Sequence, residues 1–123
     1  MERSAPILDI ELLSRLRELE QGEDCGELAK LVGRYLASIP PQLEQMRELL
    51  AQGQGGALAR EAHGLAGSSA MYGLPRLRQR CKALEACAQG PTLEAAGALL
   101  AEVTRAFEEA RPLLMAQLGI REE

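Results

Sequence analysis

The 123 residues suffice for one domain, able to remove roughly two-thirds of its unfolded surface from water without a disulfide or a metal, so a single domain spanning 1–123 is expected. Apolar residues make up 46% of the chain and aromatic ones only 2%, so the core has to be built from Leu and Ala, the side chains that helices favour, and an all-α fold is expected. The net charge of -4 excludes general nucleic-acid binding, and neither a basic-then-apolar leader nor a run of about 18 apolar residues marks a signal peptide or a membrane span.

The first element is a short helix carrying Ile7, Leu8, Leu12, Leu16 and Leu19, with a break and restart at Gly22, Glu23 and Asp24. Leu28, Leu31, Val32, Tyr35, Leu36 and Ile39 continue the helical period up to Pro40 and Pro41, which either kink one long helix or separate two. Leu43, Met46, Leu49 and Leu50 then hold the period as far as a loop at Gly53, Gln54, Gly55 and Gly56. The next helix, Ala57 to Tyr72, places Leu58, Ala62, Leu65, Ser69 and Tyr72 on one stripe; Gly73 ends it and Pro75 opens the following one. There Leu74, Leu77, Cys81, Leu84 and Ala88 form the stripe, which stops at Gln89, Gly90 and Pro91. Thr92 is positioned to cap a last helix bearing Leu93, Ala96, Leu99, Leu100, Val103, Phe107 and Leu114, with Pro112 bending or fraying its end. Four long helices joined by short loops imply an up-and-down antiparallel four-helix bundle, its end covered by the short additional N-terminal helix.

Cys25, Cys81 and Cys87 are an odd set without ligand-type spacing, and a single histidine cannot complete a zinc site, so no metal is expected and the reducing cytoplasm is the expected location. Cys81 falls in an apolar stripe and reads as core. Between Arg60 and Lys82 five cations, Arg60, Arg76, Arg78, Arg80 and Lys82, face a single acid, Glu61. That asymmetry implies one basic surface on an acidic protein, suited to a partner with an acidic site.

At 100° per residue the only histidine, His63, lies about 140° from the centre of its helix's apolar stripe and so faces solvent. Gly64 and Gly67 are helix-interior glycines, each costing about 1 kcal/mol relative to alanine, and some benefit has to offset that. With Ala66 beside it, Gly67 leaves the imidazole on a surface stripped of bulk, where a partner's backbone or a phosphoryl group can approach closely.

Residues Ala62-His63-Gly64-Leu65-Ala66-Gly67-Ser68-Ser69-Ala70-Met71-Tyr72-Gly73, followed by Leu77, Cys81, Leu84 and Glu85, resemble the histidine-phosphotransfer (HPt) domain. The resemblance implies a phosphoryl carrier of a two-component phosphorelay, without kinase or ATPase activity of its own. Its exposed His63 would take the group from one receiver-domain aspartate and pass it to another. Partners are then response-regulator receivers or a hybrid sensor kinase, Mg²⁺ belongs to the receiver, and this chain, expected as a monomer, needs no cofactor. No Gly-rich nucleotide loop is present, in keeping with a phosphoryl group supplied from elsewhere. The chemistry suits imidazole, which is nucleophilic near neutral pH, and Nε2, projecting farthest from the helix, is the expected attacking nitrogen.

One position departs from the family: its usual lysine three residues after the histidine is Ala66 here. Lys82 or Arg60 is expected to replace that charge, and Glu85 to orient the ring. Gly64, Ala66, Ala70 and Arg78 are the expected partner-binding residues beside Gly67. The competing expectation is a helical interaction module that binds a receiver without transferring phosphate.

Overall fold

The computed structural model describes residues 4–20 and 26–120. Among them are five helices and no strand: α1 (Ile10–Leu19), α2 (Glu27–Ala51), α3 (Gly55–Met71), α4 (Pro75–Ala88) and α5 (Ala96–Leu118). α2 to α5 form the expected up-and-down bundle, each packing on its neighbour in the chain and α5 closing the ring against α2.

Asp9 caps α1, its side chain accepting from the Leu12 amide at 3.1 Å. The break expected at Gly22, Glu23 and Asp24 lies outside the described residues. Gly26, at φ 109°, starts α2 with no side chain of its own to cap it. The Glu20 carboxylate does so instead, accepting from the amides of Gly26 and Leu28.

α2 is one helix through Pro40 and Pro41. Each interior proline costs about 3 kcal/mol. Both face solvent, however, while Val32, Leu36, Ile39, Leu43 and Met46 are buried on the other side, each contributing roughly 1.5–3 kcal/mol. The apolar stripe therefore outweighs the prolines. Pro112 is overruled in the same way: α5 continues to Leu118 because Ala110 and Leu114 hold it in the core.

The turn between α2 and α3 is shorter than the Gly53–Gly56 loop expected from sequence, because α3 begins at Gly55. A Cβ there would lie 2.8 Å from the Ala88 carbonyl oxygen, so the glycine lets the first turn of α3 sit against the end of α4. At the other end of α3, Gly73 adopts φ 74° and the Leu74 amide reaches the Ser69 carbonyl at 2.9 Å. This left-handed closure is followed at once by Pro75 in the first turn of α4. Thr92 does not cap α5: its hydroxyl accepts from the Glu94 amide at 3.3 Å, one turn too early. Leu93 packs against the start of α3, and the chain makes that extra turn before α5 can begin at Ala96.

α1 lies over the α3–α4 corner. Leu13 is fully buried there, the Asp9 amide donates to the Gly73 carbonyl (2.9 Å), and Arg17 reaches the Gln117 carbonyl at 3.0 Å. The preceding segment is tied to α4: Arg76 Nε donates to the Ala5 carbonyl (2.8 Å), and the Arg76 amide to that of Pro6 (3.0 Å).

Candidate functional site

α3 divides into two arcs. Leu58, Ala59, Ala62, Leu65, Ala66 and Ser69 are buried, whereas His63, Gly64, Gly67, Ala70 and Met71 face solvent. The His63 side chain is 71% exposed, and its Nδ1 lies 2.9 Å from Oε2 of Glu85, an α4 residue whose own side chain is only 17% exposed. An ionised carboxylate only accepts, so in a neutral imidazole making this contact the proton sits on Nδ1 and the lone pair on Nε2. Ala59 and Ala66, a turn to either side of the histidine, keep this edge of α3 thin, and α4 packs along it.

The two glycines have no internal task. A Cβ added at Gly64 or at Gly67 would meet nothing within 4 Å, so neither serves the close approach of a neighbouring helix. Their cost of about 1 kcal/mol each is not recovered inside the chain. Farther along the same arc Met71 is 69% exposed, an uncovered apolar side chain beside this flat surface.

Behind the site, α2 is fixed to α3. The Tyr35 hydroxyl lies 3.0 Å from Ser68 Oγ and 3.4 Å from Ser69 Oγ, and both serines donate to the Leu65 carbonyl. The Tyr35 ring stacks on Tyr72 with centroids 4.1 Å apart. Burial pushes the Tyr35 phenol up from its ordinary value, which keeps it neutral at physiological pH.

Two expectations about charge and surface are corrected. Ala66 is not part of a partner-facing surface: it is 3% exposed, covered where α4 packs on α3. The five cations do not form one basic surface either, because Arg76 and Arg80 turn towards α5, where they meet Glu109 (3.6 Å) and Glu102 (4.0 Å). Arg78 and Ala70 share a hollow with Asp9, Gly73, Leu74 and Pro75 at the α1 end. Lys82 is exposed on α4, one turn before Glu85.

A second hollow lies directly beside the imidazole. Its walls are Gly56, Ala59, Arg60, His63 and Gly64 of α3, with Glu85 of α4 and Gln89, the residue that caps the C-terminal end of α4. The structure thus brings His63, Gly64, Glu85 and Arg60 together and leaves Lys82 outside the hollow. Gln89 and Gly56 did not stand out from sequence. The available signal was the four-residue spacing of Glu85 and Gln89, which stacks them on one edge of α4.

Residues 30–112 match the family model of the Hpt domain. The chain belongs to the Hpt domain family. The crystal structure of histidine-containing phosphotransfer protein B (HptB) from Pseudomonas aeruginosa PAO1 is similar to this Hpt domain, with a TM-score of 0.79 and 28% sequence identity over 97% of this chain and 100% of that one. Among curated proteins none matches. Membership places the chain in a family of phosphoryl carriers and implies partners from two-component relays. Among the described residues, no three His, Cys, Asp or Glu side chains converge where a metal ion would bind, and no helix of this Hpt domain is long and apolar enough to cross a membrane.

Proposed function

We propose that the chain, acting as one Hpt domain, relays a phosphoryl group between receiver-domain aspartates through Nε2 of His63. The observation that carries this reading is the pairing of an exposed imidazole with the Glu85 carboxylate at 2.9 Å, beside glycines that no internal contact requires. In the forward step the Nε2 lone pair attacks the phosphorus of an aspartyl phosphate. The bond from phosphorus to the aspartate oxygen breaks, and its electron pair leaves on the carboxylate. The ring keeps its Nδ1 proton and becomes cationic, and Glu85 faces that charge. No proton has to move. In the return step a second aspartate oxygen attacks the phosphorus and the ring departs as neutral imidazole, a leaving group that the retained Nδ1 proton makes possible. Catalysis on this chain is then positioning and charge compensation, which needs no cleft.

Incubation with a phosphorylated receiver tests the reading directly. The native chain is expected to take up an alkali-stable, acid-labile label and His63→Gln none. An undiminished label in His63→Gln overturns it. The buried alanine at position 66, where relatives usually carry a lysine, favours a second reading, a receiver-binding module without transfer. That module would bind a receiver equally well as His63→Gln and never acquire label.

A further inference from the structure

We propose that a phosphoryl group on His63 is held in the hollow towards the N-terminal end of α3, by the guanidinium of Arg60 with the carboxamide of Gln89 on the facing wall. The proposal rests on the phosphohistidine reading above and adds where the group lies and which cation meets it.

The bundle itself removes the other cations. Arg76 and Arg80 are engaged with Glu109 and Glu102 on the α5 side, and Arg80 also donates to the Ser4 hydroxyl at 2.9 Å. Arg78 lies in the separate hollow at the α1 end, with Ala70 and Asp9. Lys82 does not line the hollow that His63 shares with Glu85. Arg60 does line it, and among the described residues its guanidinium has neither an ion pair nor a hydrogen bond. Arg60 and His63 stand three residues apart, which puts them on one helix face, and helical side chains lean towards the N-terminus. A group on the imidazole therefore overlies the turn that contains Ala59 and Arg60, rather than the one that contains Ala66 and Gly67.

The floor of the hollow is shaped for this. Arg60 folds back over Gly56, where an added Cβ would lie 3.7 Å from Nη1, and Ala59 contributes no more than a methyl group. On the α4 wall the Glu85 carboxylate holds Nδ1, so an anion on Nε2 has to be kept away from that carboxylate. Gln89, one turn beyond Glu85 towards the Arg60 end, offers amide donors and no charge. The arrangement separates the two ends of the ring, with the proton facing the acid and the phosphoryl group facing the arginine fork, which matches phosphate oxygens in geometry as well as charge.

The test loads His63 chemically with phosphoramidate, so that no receiver is needed, and follows the phosphohistidine by ³¹P NMR through a pH titration. Arg60→Ala is expected to raise the phosphoryl group's second ionisation by about half a pH unit, and Arg60→Lys to restore most of it, the size being that of a solvent-screened charge. Gln89→Ala is expected to change the ³¹P shift without that displacement, and Lys82→Ala to leave both as in the native chain. A native-like titration in Arg60→Ala, or a larger displacement in Lys82→Ala, overturns the assignment. The two readings fail separately. Chemical loading with an Arg60 effect but no transfer from a receiver removes the relay and leaves this site standing, whereas transfer without an Arg60 effect does the reverse. Failure of His63 to be loaded by either route overturns both.

Discussion

At the scale of single residues, the site depends on one contact across two helices. In the proposed relay, Glu85, 2.9 Å from Nδ1, leaves Nε2 as the free nitrogen and faces the ring at the stage when it is cationic. Glu85→Ala is expected to slow both directions of transfer by about tenfold or more, the effect of a lost orienting group on a reaction governed by geometry. It should also spread the neutral ring over both tautomers. ¹⁵N shifts of the imidazole nitrogens check the second point independently of any receiver, and an unchanged tautomer in the variant would remove Glu85 from its role. Cys81 carries no comparable chemistry: burial among apolar neighbours pushes its thiol up to about 12, which leaves it protonated and inert.

At the scale of elements, α2, which is fixed to α3 behind the site through Tyr35, begins at a cap supplied from outside the helix. That cap is titratable. Amides of Leu28 and Gly26 donate to the Glu20 carboxylate and hold it below the ordinary value of 4.5. The ionised cap stabilises the fold at and above that ordinary value, and the contribution is lost as pH falls through the lower folded-state value. Acidification is therefore expected to lower the protection of the first α2 amides in the native chain, with exchange corrected for intrinsic rates. Glu20→Gln should exchange faster at neutral pH and show little further change in that acid window. An α2 terminus whose exchange, corrected for intrinsic rates, is identical in the two proteins at neutral pH would contradict this.

For the molecule as a whole, the face made by α3 and α4 is the one that departs from what stability alone would select. Tight internal packing governs Gly55 and Gly73: the first abuts the Ala88 carbonyl, and the second has positive φ with Leu13 against it. Gly67 has neither constraint. Gly67→Ala is expected to stabilise the bundle by about 0.5–1 kcal/mol in urea unfolding. Gly67→Leu should fold equally well yet weaken receiver binding, read by titration calorimetry, because its side chain stands on the approach to His63. Loss of stability in Gly67→Ala would mean that the glycine serves the fold after all.

The amino-acid sequence by itself determined the helices, the inward stripes of α3 and α4, the corner at Gly73 and Pro75, and the outward direction of His63, because these follow from periodicity and from local backbone preference. It did not decide whether prolines interrupt α2 or α5, since that balance is settled by burial of the opposite face. Nor did it reveal which charges meet. Arg60, Arg76, Arg78, Arg80 and Lys82 are close in sequence, but the bundle sends two of them to acids on α5, one to the α1 end and one to the histidine's hollow, leaving Lys82 on the open surface of α4. Spacing along a helix fixes a direction, whereas a partner is fixed only when a second helix packs alongside. Position 66 shows the difference: on the linear chain it is the next turn's neighbour of an exposed histidine, and in the bundle it is core.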